Sequence, residues 1–392
     1  MKTYILIPIL ILVTIGCKEK LVLDKKHHPT VPIKQLVLDS FNHPWSIAFI
    51  SDDEALISEK DGDLLRVNLN SKEKQIIKGF PTDLTDSIRA IHFGDNSGIF
   101  EVLVDPDFKN NQRVYFSYAA KKGFGTTTKV IRAQLKNDSL TNYQTLIEAA
   151  PYTREYFHYG GGMTFGTDGK LYVIIGERLF WEHDEPEIPI AQDVSDKRGK
   201  IYRINPDGSI PEDNPDFGEA AVPGLYAMGI RAAQGITVQP ETGKIWFSEH
   251  GTIEGDEINI LKPGANYGWP NVTSGKLRSS DYTPPPIEGV VFTSPVWFWT
   301  HTVAPTGLTF YTGNEFPEWK NNLIVPGLSR GSLWRFRIEH DTIKSAEELF
   351  LDDRVRSRKV AQSPDGKLYM LTDEDNGKLL RILPKPFNLI VE

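Results

Sequence analysis

The stretch "MTFGTDGKLYVIIGE" (residues 163–177) decides the fold class, because its pattern predicts two short strands joined by a tight turn. An Asp-Gly pair between two apolar runs is a strong signal for a β-hairpin. The same plan returns in "GITVQPETGKIWFSE" (235–249) and "VAQSPDGKLYMLTDE" (360–374). Looser copies are "SIAFISDDEALISE" (46–59), "FEVLVDPDFKNNQRVYFSY" (100–118) and "GLTFYTGNEFPEWKNNLIVPGL" (307–328). The chain therefore contains six copies of one strand–turn–strand unit.

Each copy is followed by a further short strand, sometimes after an insertion. These strands are "GDLLRVNL" (62–69), "TKVIRAQL" (128–135), "GKIYRINPD" (199–207), "DEINILKPG" (256–264), "GSLWRFRI" (331–338) and "GKLLRILP" (377–384). Short strands with turn signals between them, and no sustained helical period, indicate an all-β protein. Six copies of a strand meander predict a six-bladed β-propeller. A two-sheet sandwich is the alternative, but it does not explain the sixfold recurrence.

Composition and charge argue against nucleic acid as a partner. The chain has 392 residues and a formal net charge of −8. No basic run is long enough to follow a phosphate backbone. The 26 prolines and 32 glycines are scattered, which is typical of many turns between short strands.

The first residues predict export. The apolar run "YILIPILILVTIG" (4–16) is shorter than the roughly 20 residues that a membrane-spanning helix needs. It is followed directly by Cys17, the only cysteine of the sequence. "TIGC" resembles a bacterial lipoprotein signal, in which the cysteine becomes the lipidated first residue; a secretory signal with an incidental cysteine is the alternative. We predict a signal peptide over 1–17, a tether over 18–32 and a propeller domain over 33–388. The protein is then expected in the periplasm or at the outer membrane, held to the membrane only by a lipid on Cys17.

A propeller brings distant polar residues to one mouth of its central channel. The residue before each innermost strand and the end of the next strand share a face, because the two strands form an antiparallel hairpin. The residues that precede these strands are His43 and Trp45, Asp95 and Asn96, His158, Arg231, Thr302, and Arg356 with Arg358. The ends of the second strands add Glu59, Glu177, Glu249 with His250, and Asp373. Convergent polar groups in a cleft predict a binding or active site.

His158 is the candidate base of this site. Hairpin geometry places Glu177 on the same blade and face, and a nearby carboxylate orients an imidazole and supports its protonated form. A histidine that only stabilises a turn is the alternative, and the surrounding ring of polar residues argues against it. Arg231, Arg356 and Arg358 at the same mouth predict a small anionic ligand. The sequence carries no Walker-type or Rossmann fingerprint that would make this ligand a nucleotide.

The segment "SEHGTIEGDEINILKPGANYGWP" (248–270) predicts a calcium site. Glu249, Glu254, Asp256 and Glu257 are hard oxygen donors, and the glycines permit exposed carbonyl groups. This is the ligand chemistry of Ca²⁺ rather than of Zn²⁺.

Several segments together resemble a known family. "HYGGGMTFGTDGKLYVIIGE", "GKIYRINPDGSIPEDNP", "GIRAAQGITV", "SEHGTIEGDEINILKPGANYGWP" and "VAPTGLTFYTGNEFPEW" are similar to the soluble PQQ-dependent aldose and glucose dehydrogenases, also called the glucose/sorbosone dehydrogenase family. The resemblance covers about residues 40–385 in order. It implies a six-bladed propeller that uses pyrroloquinoline quinone (PQQ) and Ca²⁺ to oxidise an aldose at C1 to the lactone. The electrons would then pass to an acceptor that the sequence does not identify.

The resemblance also implies roles for single residues. His158 would be the base that takes the proton from the C1 hydroxyl, Glu177 would orient it, and Arg231 would stabilise the reduced quinone oxygen. The further contacts that the resemblance implies for PQQ are Asn96, Thr302, Arg330, Arg356 and Arg358.

The same carry-over implies two calcium ions. The backbone carbonyls of Gly251 and Thr252 would hold the ion that polarises the quinone carbonyl. Glu257 and the carbonyl of Tyr267 match a second, structural ion.

The chain departs from the family pattern at several contacts. Positions where the family has asparagine, glutamine, lysine, proline and arginine are here Ala232, Asn96, Ser329, Thr252 and Gly162. Arg330 lies beside Ser329 as a possible substitute for the lysine, and Glu177 replaces the usual aspartate.

Two alternatives therefore stay open. One is a non-enzymatic propeller that binds a sugar or a protein without PQQ. The other is a calcium-dependent hydrolase of the lactonase type, which rests on analogy of fold alone.

Overall fold

The structure, a computed structural model, describes residues 30–84, 97–178, 188–278, 283–284 and 286–385. The predicted signal peptide, nearly all of the predicted tether and the candidate cofactor contact Asn96 lie outside these residues. Among the described residues, no helix combines the length and the apolar character needed to cross a membrane.

Twenty-four strands of the described chain form six four-stranded antiparallel sheets, arranged as the blades of a propeller. The first strand of the chain, β1 (Pro32–Phe41), belongs to the last blade. Blade 1 contains β2 (Pro44–Phe49), β3 (Glu54–Glu59), β4 (Leu64–Asn68) and β5 (Lys74–Ile76). Blade 2 contains β6 (Ile99–Val104), β7 (Arg113–Lys122), β8 (Gly125–Lys136) and β9 (Ser139–Glu148). Blade 3 contains β10 (Gly160–Phe165), β11 (Leu171–Ile175), β12 (Lys200–Ile204) and β13 (Leu225–Met228).

The second half of the chain repeats this plan. Blade 4 contains β14 (Ala233–Val238), β15 (Ile245–Glu249), β16 (Glu257–Ile260) and β17 (Trp297–Phe298). Blade 5 contains β18 (Thr309–Phe310), β19 (Leu323–Pro326), β20 (Leu333–Glu339) and β21 (Thr342–Leu349). Blade 6 contains β22 (Ser357–Gln362), β23 (Leu368–Thr372) and β24 (Gly377–Pro384) together with β1. One α-helical turn, α1 (Phe108–Asn111), and 3₁₀ turns at Ile190–Gln192, Pro317–Trp319 and Leu351–Asp353 connect strands.

The hairpin of blade 3 forms as the sequence predicts. Met163 pairs with Val173 and Phe165 pairs with Leu171 across the turn. Gly169 takes the left-handed conformation there, with φ of +71°, which glycine adopts without steric cost. The predicted six-bladed propeller is therefore confirmed at the level of strands and turns.

Each blade has a fourth strand that the sequence analysis did not identify. β5 has three residues and β17 has two, and β17 follows a long insertion after β16. Strands this short carry too little alternation to be recognised. The fourth strand of blade 6 comes from the other end of the chain, since β1 pairs with β24 from Pro32–Pro384 to Phe41–Gly377. This pairing closes the ring and leaves no open edge between the first and last blades.

In the described residues, the core consists of six apolar clusters that each pack between two neighbouring blades, and a smaller seventh cluster that contains Trp45, Phe100, Ala119 and Tyr159. All five residues of β11 are buried, because a blade is covered on both faces by its neighbours. This explains why "LYVII" is continuously apolar rather than alternating. The packing holds the innermost strands β2, β6, β10, β14, β18 and β22 around the channel, so that their first residues surround one mouth.

Candidate functional site

His158 and Glu177 meet at this mouth. His158 lies two residues before the start of β10 and has a left-handed backbone with φ of +49°. Its Nδ1 is hydrogen-bonded to the carboxylate of Glu177, which follows β11 and is buried. The backbone is tight here, because a Cβ on Gly176 would lie 2.0 Å from the carbonyl oxygen of His158. The hairpin thus fixes both the orientation of the imidazole and the nitrogen that it presents.

The environment of His158 favours the neutral imidazole. Burial lowers the pKa of His158 well below its usual range, and the positive charges of Arg231, Arg178 and Arg278 lower this pKa further, as does His250. From the sequence, Glu177 was expected to support the protonated form of the His158 imidazole. Burial and the surrounding cations outweigh that effect, so the environment favours the neutral form of the imidazole.

Arg231 lies beside His158 at the start of blade 4. Its guanidinium donates to the carbonyl oxygen of Gly251 at 2.7 Å and lies 5.1 Å from the ring centroid of Trp269. The backbone amide of Arg231 donates to the carboxylate of Glu249. Arg231 is therefore fixed from both its side chain and its main chain.

The loop after β15 carries the two carbonyl groups predicted to bind Ca²⁺. The oxygen of Gly251 accepts the hydrogen bond from Arg231, and that of Thr252 accepts one from Arg278 at 3.0 Å. Asp256 clamps this loop, since its Oδ1 accepts from the amide of Gly251 at 2.8 Å. Its Oδ2 accepts from the amides of residues 303 and 304, both at 2.7 Å. Asp256 is thus buried and holds the loop through these hydrogen bonds, and it does not offer an exposed oxygen to a metal ion.

The second predicted calcium site lies next to a small cavity. This cavity of about 20 Å³ is lined by Glu249, Glu257 and Tyr267, among others. Burial and the charge of Glu257 together raise the pKa of Glu249 to about 8. Burial also raises the pKa of the partly buried Glu257. Two such carboxylates at one cavity are the donor set that a cation stabilises. Glu254, by contrast, lies 3.6 Å from Lys276 in an ion pair.

The late arginine pair is bound to one carboxylate. Arg356 and Arg358 each donate to Oδ2 of Asp373 at 2.8 Å. The side chain of Arg358 is 4% exposed and lies 4.0 Å from the ring centroid of Trp45, whereas that of Arg356 is 51% exposed. Only Arg356 therefore presents its guanidinium to the open mouth.

The remaining predicted contacts are placed as follows. The hydroxyl of Thr302 is exposed and donates to the carbonyl of Ile253. Arg330 binds Glu348 at 2.8 Å and lines a cleft with Ser329, Leu351 and Arg354. The glycines after His158 admit protein atoms, because a Cβ on Gly161 would lie 2.6 Å from Phe100.

Several residues of the mouth were not predicted from the sequence. Two of them, Phe100 and Tyr159, form a row of aromatic rings with the predicted Trp45, with 5.4 Å between the centroids of Trp45 and Phe100 and 5.0 Å between those of Phe100 and Tyr159. Arg178 lies 3.5 Å from the ring centroid of Tyr159. The sequence feature that could have indicated Arg178 is its position directly after Glu177, at the end of an apolar strand. Arg278 lies in an insertion that carries no repeat pattern, so no sequence signal could have located it.

Comparison with known proteins places this architecture in a family. The family model described as "Glucose / Sorbosone dehydrogenase" matches residues 41–381. An uncharacterized protein of Synechocystis sp. is 33% identical over 88% of this chain and 85% of its own length. The aldose sugar dehydrogenase YliI of Escherichia coli is 30% identical over 90% of this chain and 92% of its own length.

Two further comparisons concern a relative that is named as a quinoprotein and a solved structure with the same fold. The quinoprotein glucose dehydrogenase B of Acinetobacter calcoaceticus is 28% identical over 91% of this chain and 90% of its own length. The crystal structure of the apo form of the soluble aldose sugar dehydrogenase from Escherichia coli superposes with a TM-score of 0.81 at 29% identity. That superposition covers 91% of this chain and all of the other.

Proposed function

The chain belongs to the glucose/sorbosone dehydrogenase family, and we propose that it oxidises an aldose at C1 to the lactone with PQQ and Ca²⁺. The observation that carries this proposal is the buried pair of His158 and Glu177 at the channel mouth. Glu177 holds Nδ1, so Nε2 is the ring nitrogen that accepts a proton from a sugar hydroxyl. A neutral imidazole held in one tautomer is suited to act as a general base.

The cations at the mouth fit a polyanionic quinone. Arg231 is held next to His158, and Arg356 presents an exposed guanidinium on the opposite side of the ring of blades. Arginine forks match carboxylate groups. Arg358 fits a supporting role, since it is buried against Trp45 and Asp373 and keeps Arg356 and its blade in place.

The oxygen donors fit calcium at two places. Gly251 and Thr252 each offer a carbonyl oxygen, and a carbonyl that accepts one hydrogen bond keeps a second lone pair. Glu257 and Glu249 line the cavity next to Tyr267. Carboxylate and carbonyl oxygens are the ligands that Ca²⁺ takes.

The proposed reaction needs three actions from this chain. His158 removes the proton of the C1 hydroxyl as the C1–H bond releases its electron pair as hydride. Glu177 stabilises the imidazolium that forms, and Arg231 would offer its positive charge to the reduced quinone oxygen. PQQ, when bound at this mouth, would accept the two electrons of the hydride, and Ca²⁺ held by the carbonyls of Gly251 and Thr252 would polarise the quinone.

The decisive experiment is a PQQ titration of the purified, calcium-supplemented protein followed by absorbance. Binding should be followed by reduction of an artificial dye when an aldose is added. Arg231→Gln should weaken PQQ binding at least about tenfold, which corresponds to about 1.4 kcal/mol. The exposed Arg337, which pairs with Glu339, provides the matched control Arg337→Gln with unchanged affinity.

A folded protein that binds no PQQ would contradict the proposal and support a non-enzymatic propeller. Hydrolysis of a lactone that requires Ca²⁺ but not PQQ would support the hydrolase alternative. Dye reduction that persists without PQQ would contradict the assignment of the cofactor.

We also propose that the protein is exported and anchored through Cys17, on the signal-like sequence of residues 1–17. Mass spectrometry of the protein from a bacterial membrane fraction should find diacylglycerol on Cys17. Cys17→Ser should abolish this modification and release the protein from the membrane. A wild-type protein that retains residues 1–16 in the cytoplasm would contradict the proposal.

A further inference from the structure

Arg178 is a buried cation directly after Glu177. It is fully buried and has a left-handed backbone with φ of +73°. Its guanidinium donates to the carbonyl oxygens of Glu155 and Phe157 and to Oγ1 of Thr126, the last at 2.8 Å. The same guanidinium packs on the ring of Tyr159.

These contacts converge on the segment that carries His158. Phe157 and Tyr159 flank His158 in the sequence, and both contact the Arg178 side chain. The backbone amide of Arg178 donates to the carbonyl oxygen of His158 at 3.3 Å. Oγ1 of Thr126 also forms a 2.8 Å hydrogen bond with the hydroxyl of Tyr159. Arg178 thus joins the segment before His158, the residue after it and blade 2.

The hydrogen-bond acceptors of this guanidinium differ from those of most other buried arginines. Within the described chain, a carboxylate contacts the guanidinium of Arg198, Arg203, Arg358 and Arg381, whereas Arg231, at the same mouth, donates to backbone carbonyls. The hydrogen bonds of Arg178 go to carbonyl and hydroxyl oxygens. Burying a charge among neutral acceptors is costly, and an apolar side chain would fill the same volume at lower cost. The charge and its fork of donors are therefore expected to serve the segment that they hold.

We propose that Arg178 is a positioning residue for His158, and this inference rests on the proposed role of His158 as a base. Glu177 holds the imidazole through Nδ1, while Arg178 holds the main chain on either side of the same residue. Two consecutive residues at the end of β11 thereby fix the ring and its backbone. Without the guanidinium, the carbonyl of Phe157 would lose its hydrogen bond to Arg178, and the segment would remain held to blade 2 through Thr126 and its bond to the carbonyl of Glu155. We therefore expect Nε2 to be held less firmly toward the mouth.

The charge of Arg178 acts on the same ring. The groups that face His158 are Glu177, which favours the imidazolium, and Arg178, Arg231, Arg278 and His250, which disfavour it. Removing the charge of Arg178 should therefore raise the pKa of His158. The Arg178→Lys variant should retain the positive charge, but an ammonium group cannot bind the three acceptors with the geometry of a guanidinium.

The test compares Arg178→Lys and Arg178→Gln with Arg381→Lys as the matched control. Arg381 is also buried and donates to backbone carbonyls, those of Leu368 and Ile382, but it lies in β24, the third strand of blade 6 counted from the channel. Each variant is measured by thermal unfolding, by kcat and KM, and by ¹⁵N NMR of labelled histidine side chains. The His158→Gln variant identifies the signals of His158.

We expect Arg178→Lys to lower kcat at least tenfold with little change in KM, and to alter the Nδ1–H signal of His158. Arg178→Gln should in addition raise the pH at which His158 titrates. Arg381→Lys should lower stability without either effect. If both Arg178 variants lose stability like Arg381→Lys but keep kcat and the His158 signals, Arg178 is only structural and the proposal is wrong. If the wild-type protein oxidises no aldose, the proposed function fails, and the NMR comparison alone decides the positioning role.

Discussion

Two histidine–carboxylate pairs at the same channel mouth have opposite properties. His43 and His158 lie one and two residues before an innermost strand, and both have a left-handed backbone. His43 Nδ1 lies 3.1 Å from Asp373 and its Nε2 lies 2.8 Å from Asp375. Hydrogen bonding to Asp373 raises the pKa of His43, whereas burial lowers the pKa of His158.

The difference comes from burial and from the sign of the neighbouring charges. The His43 side chain is 33% exposed and has carboxylates at both ring nitrogens, so the imidazolium is favoured. The His158 side chain is 12% exposed, and besides the carboxylate of Glu177 it has the positive charges of Arg231, Arg178 and Arg278 nearby. The environment therefore favours the imidazolium in one blade and the neutral imidazole in another, although the residue type and the repeat position are the same.

The largest expected effect is on turnover. His158→Gln should lower kcat by about 10²- to 10⁴-fold, because a general base contributes a factor of that size. His43→Gln should lower kcat much less, since His43 acts on the arginine pair only through Asp373. His340→Gln is the control, because His340 is exposed and has a similar φ of +47°. Equal losses in the His43 and His158 variants would remove the functional distinction between the two pairs.

The next largest effect is on stability and concerns the carboxylate of the His43 pair. Asp373→Asn should lower the free energy of unfolding by about 3–5 kcal/mol, because it leaves the buried guanidinium of Arg358 without its charge partner. Asp375→Asn should change stability by less than about 0.5 kcal/mol, since this carboxylate is 98% exposed. Denaturant unfolding at pH 7 measures both. A small effect of Asp373→Asn would show that Arg358 is stabilised by other contacts.

The third comparison is between carboxylates that lie near cations and carboxylates that lie near each other, and we expect Ca²⁺ to bind the second kind. The arginines lower the pKa of Asp373, whereas Glu249 and Glu257 are buried together and their pKa values are raised. Ca²⁺ at 100 times its dissociation constant should stabilise the wild-type protein by about 2.7 kcal/mol. Glu257→Gln should abolish most of this gain, measured by thermal unfolding with and without chelator. Glu254→Gln, in the same loop, should retain the gain, and a loss in both variants would place the ion elsewhere.

The smallest expected effect is the pH dependence that each histidine adds to stability. His43, with a raised pKa, contributes stability that is present below pH 6.5 and is lost as the pH rises through its folded pKa. His158, with a lowered pKa, contributes the opposite slope, with stability present above pH 6.5 and lost as the pH falls toward its folded pKa. Histidine NMR titration should show His43 protonated at a pH where His158 is neutral. A His158 that titrates at or above 6.5 would reverse the comparison.

Much of the fold could be predicted from local patterns. The Asp-Gly turn of 163–177 and its five copies specify hairpins through residues that are close in the sequence, and the register of β10 with β11 follows from that turn. Closure by β1 could not be predicted, because the pairing of Pro32 with Pro384 joins the two ends of the domain and leaves no local signal. The short β17 was missed because its sheet pairing lies beyond a long insertion.

The candidate site was predicted unevenly for the same reason. The contact of His158 with Glu177 follows from one hairpin, so the sequence located it. The sign of the pKa shift of His158 did not follow, because it depends on burial and on cations from other parts of the chain, Arg231 and Arg278 among them. The burial of Arg358 under Asp373 and against Trp45 also joins blade 6 to blade 1.

By itself, the sequence determined the six hairpins, the choice of β-propeller and the identity of the polar residues at the channel mouth. These features depend on turn chemistry and on alternation within about twenty residues. Only the tertiary structure decided which of those residues are neutral, which are charged and which are already bound to another side chain. Burial and electrostatic interactions depend on distances between blades, and those distances exist only once the ring has closed.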